Sequence, residues 1–252
     1  MTNHCYIVTG AGRGLGLGLA RAIAAQGAHL VAVGRHETPE LDTLGSNLPG
    51  YRFVALDLAD SDQVTEAAEE VFGSLARLDW DGVYLINNAG TVEPVAPAGG
   101  YDDATLLQCL TVNLSAAMQL GNAFIRHFQT RVSDRRIINI SSGAGRKPYP
   151  SWSAYCASKA GLDMYSQCVG VEQAQRRDGI RIAALAPGII DTGMQADIRK
   201  ASENDFPMVK QFRRYKTEGE LADPDVCGRE IIKLMQSEHI GFGNLLDIRD
   251  FR

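Results

Sequence analysis

The sequence has little of what membrane, secreted and nucleic-acid-binding proteins need. No apolar run approaches the ~20 residues that cross a bilayer, and the amino terminus carries no basic start with a cleavage site, so we expect no secretory signal. A net charge of -5 leaves no overall positive field for nucleic acid. The five cysteines form no CxxC pair. These absences predict a reduced, cytoplasmic protein that binds neither membrane nor nucleic acid.

Metal-ligand spacing is also missing from the chain. Neither H-E-x-x-H nor H-x₃-H, the spacings that bring two imidazoles to one metal, occurs among the five histidines. We therefore predict that the protein holds no metal.

What the chain does have is an alternation of short apolar, β-branched runs with longer segments of helical period, which is typical of βα units around a parallel sheet. The predicted strands are residues 5–9, 29–34, 52–56, 82–87, 136–141, 181–186 and 244–248. The predicted helices are residues 15–26, 62–75, 104–129, 154–177 and 225–237. The pattern predicts one α/β domain over residues 1–252, a Rossmann-type doubly wound parallel sheet of about seven strands with helices on both faces.

Residues 191–220 form a long connection in which polar residues alternate with apolar ones such as Met194, Phe206 and Phe212. An amphipathic segment of this length is typical of a lid over a substrate site. A pair of ordinary surface helices fits the same pattern, and the sequence leaves both interpretations open.

A glycine-rich turn follows the first predicted strand and opens the first helix. Gly10, Gly14 and Gly16 give it the spacing T-G-x-x-x-G-x-G, whereas no trio in this run fits G-x-G-x-x-G. Glycines let a backbone approach a ligand closely, and a helix amino terminus offers free N–H groups to phosphate. The turn predicts a dinucleotide site, with a ligand-free structural turn as the alternative.

The end of the second strand indicates which dinucleotide is bound. NAD-preferring proteins usually carry an acidic residue there, about 20 positions beyond the glycines. Here the chain has Arg35, and Arg13 lies inside the glycine turn itself. A guanidinium pairs well with a 2′-phosphate. The prediction is therefore NADP(H), with two solvated surface arginines as the alternative.

Tyr155 and Lys159 open a predicted helix four residues apart, so their polar ends share one face. A free tyrosine with a pKa near ~10 is a poor acid-base group at neutral pH, but a neighbouring ammonium favours its phenolate. Carbonyl reduction needs a hydride donor, a proton donor and a group that holds the oxygen. The pair predicts that Tyr155 is the proton donor.

Together these motifs resemble the short-chain dehydrogenase/reductase family, in family order from Thr9 to Thr192. The resemblance implies that Ser142, with Ser141 as the less favoured twin, hydrogen-bonds the carbonyl oxygen. It also implies that Asn113 anchors a water in the proton path to Lys159. The implied catalytic residues are Asn113, Ser142, Tyr155 and Lys159.

The same resemblance implies a cofactor site built from the ends of several strands. Its implied members are Gly10, Gly12, Arg13, Gly14, Leu15, Gly16, Arg35, Asp57, Leu58, Asn88, Ala89, Gly90, Tyr155, Lys159, Pro187, Gly188, Ile190 and Thr192. Family members usually associate through the helices that carry Asn113 and Tyr155. The resemblance therefore implies a homodimer or homotetramer.

Residues 141–155 and 191–195 look like the sepiapterin reductase and benzil reductase branch of that family. Residues 246–250 are similar to its carboxy-terminal segment, where an aspartate anchors a pterin. Asp250 is the candidate, followed by Asp247, although a terminal aspartate is usually a solvated charge. The branch implies a bulky substrate with adjacent carbonyls and contacts from Ser142, Trp152, Tyr155 and Asp250.

Composition predicts an apolar, aromatic pocket for such a substrate. Its expected lining is Val92, Tyr149, Trp152, Met194, Phe206 and Phe212. The resulting prediction is an NADPH-dependent carbonyl reductase. Three alternatives remain: oxidation of a secondary alcohol of a steroid, sugar or acyl chain, a non-catalytic NADP(H)-binding regulator, and a partner protein in a larger complex. An intact Ser142–Tyr155–Lys159 set argues against the regulator.

Overall fold

The computed structural model describes residues 3–130, 132 and 134–251. Its seven strands lie in one sheet in the order β3-β2-β1-β4-β5-β6-β7, and every neighbouring pair is parallel. The strands are β1 (His4–Thr9), β2 (His29–Gly34), β3 (Tyr51–Ala55), β4 (Gly82–Asn87), β5 (Asp134–Ile140), β6 (Arg181–Ala186) and β7 (Phe242–Asp247). The predicted single-domain, doubly wound α/β fold is confirmed.

Helices cover the sheet on both faces because the buried strands alternate their side chains. Tyr6 and Val8 pack with α1 and α9 on one face, whereas Cys5 and Ile7 pack with α3 and α5 on the other. The helices are α1 (Gly14–Ala25), α2 (Pro39–Gly45), α3 (Ser61–Leu75), α4 (Asp103–Leu110), α5 (Ala116–Phe128), α6 (Ser153–Ala174), α7 (Gly193–Lys200), α8 (Val209–Thr217) and α9 (Pro224–Met235).

The predicted helix over residues 104–129 has nearly the expected extent, since residues 103–128 are helical, but it is not regular throughout. The structure has α4 and α5 separated by a π-helical turn at Thr111–Ser115. Such a turn inserts one extra residue into the helical ladder and is frequent at functional sites. It contains the buried Asn113, whose amide bonds the backbone of Thr91 at 2.8 Å in both directions. A long-range contact thus lies at the irregular turn of this helix, which periodicity alone does not reveal.

Helix α2 was not predicted, because seven residues are too few to show a helical period. Its start signals are nevertheless in the sequence: the Thr38 side chain accepts from Leu41 N at 3.3 Å, and Pro39 occupies the first turn. Residues 191–220 contain two helices, α7 and α8, for which no bounds were predicted.

Two kinds of feature are absent from the described part of the chain. No helix in it combines the length and the apolarity that a bilayer crossing requires. Nor do three or more His, Cys, Asp or Glu side chains gather there as possible metal ligands.

Helix α1, which carries the glycine turn at its start, is fixed by close backbone contact with α9. A Cβ on Gly18 would lie 2.2 Å from the Pro224 carbonyl oxygen, and one on Gly228 would lie 2.4 Å from the Gly18 carbonyl carbon. Any residue other than glycine at position 18 or 228 would force α1 and α9 apart. The pair of glycines therefore sets the position of α1 against the rest of the fold.

We expect Gly18→Ala to lower the free energy of unfolding by about 1–3 kcal/mol, because the added methyl group overpacks the α1–α9 contact. The matched control is Gly73→Ala in α3, where a Cβ would lie 3.6 Å from the Cε1 atom of His127, in ordinary van der Waals contact. That change should raise stability by about 0.5–1 kcal/mol, since alanine restricts the unfolded chain. Urea unfolding of both variants is the measurement, and equal effects would contradict the packing argument.

Candidate active site

All parallel strands end at the same edge of the sheet, and the predicted motifs follow those ends. Chain connections run away from β1 in one direction and away from β4 in the other, so the strand order reverses between these two neighbours. Ligands bind open α/β sheets outside such a reversal. The glycine turn leaves β1 here, and the segment Asn88 to Gly90 leaves β4 beside it.

The glycine turn forms a cradle that only glycine permits. Gly10 and Gly14 have φ angles of 67° and 52°, in the left-handed region. A Cβ on Gly16 would lie 2.0 Å from the Gly10 carbonyl oxygen. Helix α1 begins at Gly14 with no side-chain cap and no acidic residue in its first turn. Its free N–H groups and positive dipole end therefore fit a pyrophosphate.

Thr9, which the sequence analysis did not count as a site residue, joins the two turns. Its hydroxyl oxygen accepts from Asn88 N at 2.9 Å and from Ala89 N at 3.0 Å. The Asn88 side chain donates in return to the Thr9 carbonyl oxygen at 2.9 Å. The T-G start of the glycine motif was the available signal for this role.

Arg13 and Arg35 are both exposed at this edge of the sheet. No hydrogen bond or ion pair of the described residues engages either guanidinium. Glu37, two positions beyond Arg35, accepts instead from the hydroxyl of Tyr51. Both arginines thus keep their donors available to an added anion.

Two further loops complete the predicted cofactor set. Asp57 accepts from Ala59 N at 3.0 Å and closes a turn directly after β3, with Leu58 buried beside it. On the other side of the cleft, a Cβ on Gly14 would lie 3.1 Å from the methyl carbon of Thr192. The turn after β6, in which Gly188 has a φ of 78°, therefore approaches the glycine turn.

Helix α6 presents Tyr155 and Lys159 together on its buried face, with 7% and 4% of their surfaces exposed. Ser142 lies beside Tyr155 and acts to lower the pKa of its phenol. Lys159 Nζ donates to the Ile140 carbonyl oxygen at 2.8 Å and lies 5.9 Å from the centre of the Tyr155 ring. The structure therefore brings together three of the four predicted catalytic residues at the carboxyl end of β5.

Burial perturbs the two titrating groups in opposite directions. It raises the pKa of Tyr155 to about 12, an effect that the neighbouring Ser142 hydroxyl partly offsets. It lowers the pKa of Lys159 to about 8, although Cys109 and Asp163 act to raise that pKa. The ammonium was expected to favour the phenolate, but burial is the largest influence on the pKa of Tyr155. At neutral pH the site holds a protonated phenol beside an ammonium group.

Asn113 reaches the same place from the π-helical turn. Its amide nitrogen donates to the Ser158 hydroxyl at 3.1 Å, which ties the turn to α6. A Cβ on Gly90 would lie 3.2 Å from Asn113 Oδ1 and 3.6 Å from Lys159 Nζ. Gly90 thus separates the amide from the ammonium without filling the space between them.

Ser141 and Ser142 differ in their surroundings. Ser142 begins a short 3-10 turn, and its hydroxyl oxygen accepts from Ala144 N at 3.1 Å and also acts on the pKa of Tyr155. The Ser141 hydroxyl is buried and has no partner among the described residues. Of the two serines, the contact with Tyr155 belongs to Ser142.

The predicted aromatic lining comes together, but its side chains pack against one another instead of standing around an open space. Trp152 stacks on Phe206 at 4.9 Å between ring centres and meets Phe212 at 5.2 Å and Tyr155 at 5.5 Å. The indole N–H of Trp152 is buried without a partner among the described residues. We call this group the aromatic cluster; its buried members are Val92, Ala144, Trp152, Tyr155, Ile198, Phe206, Val209 and Phe212.

The predicted pterin anchor lies on the exposed turn that follows β7. Asp250 is exposed on the 3-10 turn Ile248–Phe251, and within the described part of the chain it forms no hydrogen bond or ion pair with the catalytic candidates. Asp247, the second candidate, pairs with Arg249 at 2.6 Å. Ile248 packs 3.8 Å from the Cβ position of Gly188, so the segment still borders the β6 turn.

A Rossmann-type sheet with a glycine cradle and a buried Tyr–Lys pair defines a dinucleotide-dependent oxidoreductase. The family model described as short chain dehydrogenase matches residues 4–203. The chain therefore belongs to the short-chain dehydrogenase family, as its sequence motifs predicted. Members use nicotinamide cofactors and act on CH–OH or C=O groups.

Characterised relatives include both members of the predicted branch. Over 243 residues the chain is 35% identical to the benzil reductase ((S)-benzoin forming) of Bacillus cereus, covering 96% of this chain and 98% of that protein. Over 257 residues it is 30% identical to the sepiapterin reductase of Bos taurus, covering 97% and 94%. The crystal structure of the KRED1-Pglu enzyme aligns with a TM-score of 0.83 at 29% identity, covering 96% of this chain and 100% of that chain.

Proposed function

We propose that this protein is an NADPH-dependent carbonyl reductase that reduces one carbonyl of a bulky dicarbonyl, such as a benzil-like diketone or a sepiapterin-like pterin. The observation that carries the proposal is the buried, protonated Tyr155 phenol, which lies beside Ser142 and is followed one helical turn later by Lys159. The benzil and sepiapterin reductases at 35% and 30% identity support the substrate class.

Each polar group has a distinct part in the proposed reduction. The Ser142 hydroxyl donates a hydrogen bond to the substrate oxygen and fixes the carbonyl beside Tyr155. As negative charge grows on that oxygen, Tyr155 transfers its phenolic proton to it, which completes the alcohol. The Lys159 ammonium then stabilises the phenolate that remains. Bound NADPH supplies the hydride.

The proton that Tyr155 gives up must be replaced after each turnover. Lys159 lies next to the phenol, and Asn113 reaches the same space from across Gly90. We propose that the Asn113 amide anchors a water that carries protons to Lys159. Its firm hold on the Thr91 backbone keeps the amide in a fixed orientation, which such a relay requires.

The cofactor would lie along the reversal of strand order. The proposed contacts are the glycine cradle for the pyrophosphate, Asp57 and Leu58 for the adenine, and the β6 turn with Thr192 for the nicotinamide. Arg13 and Arg35 would hold the 2′-phosphate, because their guanidinium groups are exposed and form no ion pair within the described part of the chain, although Arg13 acts electrostatically on Asp197. This charge arrangement supports NADPH over NADH.

We propose that α7 and α8 form the lid of the substrate site. They supply Ile198, Val209 and Phe212 to the aromatic cluster, which abuts Tyr155 directly. When α7 and α8 move away from Trp152, the flat, apolar rings of a substrate would pack against Trp152 in place of Phe206 and Phe212. Asp250 remains the proposed anchor for a pterin, at the exposed border of the β6 turn.

We expect Tyr155→Phe to lower turnover of benzil and sepiapterin by about 10²–10⁴-fold, because the substrate oxygen loses its proton donor. NADPH affinity should stay within a few-fold of wild type. The measurement is NADPH oxidation followed by absorbance, with NADPH binding followed by fluorescence. The matched control is Tyr165→Phe on the same helix, whose hydroxyl contacts the Met118 carbonyl oxygen away from the site.

Other outcomes of that experiment would replace the proposal. Undiminished reduction by Tyr155→Phe would exclude Tyr155 as the proton donor. Tight NADPH binding without turnover of any carbonyl by the wild type would favour a non-catalytic regulator. Turnover only of secondary alcohols with NADP⁺ would favour a dehydrogenase acting in the opposite direction.

We expect Arg35→Ala to weaken NADPH binding by about 10–100-fold, since a charge-assisted hydrogen bond to phosphate contributes about 1.5–3 kcal/mol. NADH affinity should hardly change, because NADH lacks the 2′-phosphate. Titration of both cofactors by fluorescence gives the comparison. Arg52→Ala, which removes an exposed arginine paired with Glu70, is the control. An equal loss for NADH and NADPH would rule out a phosphate contact.

We propose that the chain forms a homodimer or homotetramer through α4, α5 and α6. These helices carry large apolar side chains that are 40–63% exposed: Leu107, Met118, Met164 and Val171. Burying them between copies removes apolar surface from water. The double change Met164→Glu and Val171→Glu should reduce the molar mass measured by light scattering to that of one chain. An unchanged mass would point to another surface.

A further inference from the structure

A partly buried ion pair between Arg146 and Asp163 lies next to the candidate catalytic residues and has no part in the chemistry proposed above. Arg146 Nε lies 3.3 Å from Asp163 Oδ2, and Arg146 Nη2 donates to the Leu246 carbonyl oxygen at 3.0 Å. The Asp163 side chain is only 6% exposed. A carboxylate this deeply buried is costly unless it is paired. Arg146 supplies that partner for Asp163.

The pair joins two elements of the site. Arg146 ends the 3-10 turn that Ser142 begins, whereas Asp163 lies on α6, four residues beyond Lys159. The turn packs so closely on the helix that a Cβ on Gly145 would lie 2.9 Å from the Lys159 carbonyl oxygen and 3.1 Å from Asp163 Oδ2. The ion pair therefore holds the Ser142 turn against the helix that carries the acid-base groups.

The charge of Asp163 also acts on Lys159. Residues four apart share one helix face, and the negative charge of Asp163 raises the pKa of Lys159 against the effect of burial. The other groups at Lys159 are Cys109 on α4, the Ile140 carbonyl on β5 and the Tyr155 ring. Asp163 Oδ1 is buried with no hydrogen-bond partner among the described residues. Arg146 thus pairs with one oxygen of the Asp163 carboxylate, Oδ2, and the other oxygen has no hydrogen-bonding partner in the described structure.

We propose that Arg146 and Asp163 are a positioning pair for the reductase site. Asp163 stabilises the ammonium form of Lys159, and Arg146 limits how much of that negative charge reaches Lys159 while it fixes the Ser142 turn on α6. Neither side chain touches the reacting atoms. The kinetic consequence rests on the proposed carbonyl reduction, whereas the charge coupling does not.

The coupling can be measured without turnover. The chain has six lysines, so labelling with ¹³C-lysine gives few side-chain NMR signals. The signal that is missing from the Lys159→Met variant is the signal of Lys159. Asp163→Asn should lower the pKa of Lys159 by about 0.5–1 unit, because it removes a favourable charge and leaves Arg146 unpaired. Arg146→Gln should raise that pKa by a similar amount, because the Asp163 carboxylate then acts without its partner.

Kinetics give the second readout. The alkaline limb of the pH profile of kcat/KM for benzil should move to lower pH in Asp163→Asn and to higher pH in Arg146→Gln. The reason is that activity falls as the Lys159 ammonium loses its proton. The double variant should lie between the single ones. Glu172→Gln, which removes an exposed charge elsewhere on α6, should leave both the limb and the Lys159 titration unmoved.

The outcomes separate this inference from the proposed function. Opposite shifts in the NMR titration support the pair even if no carbonyl is turned over, in which case the proposed function alone fails. Turnover with an unmoved Lys159 titration and an unmoved limb in both variants would overturn the pair and leave the reductase intact. Thermal unfolding and NADPH binding of each variant establish that it is folded, so a lower kcat at constant pKa also counts against the charge coupling.

Discussion

The buried ammonium of Lys159 donates to the Ile140 carbonyl at 2.8 Å, and the geometry of the site depends on this contact. A buried charge is costly without hydrogen bonds, so α6 is favoured in the position that delivers the ammonium to the end of β5. That position places Tyr155 one turn earlier, beside Ser142. The long helix and the sheet edge are thereby fixed relative to each other at the point where chemistry is proposed.

Desolvation then sets the protonation of the site. The same burial that raises the pKa of Tyr155 to about 12 lowers the pKa of Lys159 to about 8, because each group is driven toward its neutral form. The aromatic cluster contributes to this environment by packing Trp152 against Tyr155. A proton donor and a nearby positive charge therefore coexist at neutral pH without a metal in the proposed chemistry.

Local sequence patterns predicted much of the fold and the positions of the motifs along the chain. Buried strands such as β2, β4 and β6 have the predicted bounds, because β-branched runs between turn residues leave few alternatives. The π-helical turn around Asn113 did not follow from periodicity, which carries no information about the contact of Asn113 with Thr91, 22 residues earlier in the chain. The aromatic lining was predicted by residue, but its packing of Trp152 on Phe206 was not.

By itself the sequence determined the class of fold, the glycine cradle and the order of the acid-base residues, because backbone conformation and helical spacing are local properties. Only the tertiary structure decided the protonation of Tyr155 and Lys159 and the pairing of Arg146 with Asp163. Burial is summed over many segments of the chain, and Arg146 is held by the carbonyl of Leu246, 100 residues away. Those effects exist only once distant segments are brought together and water is excluded between them.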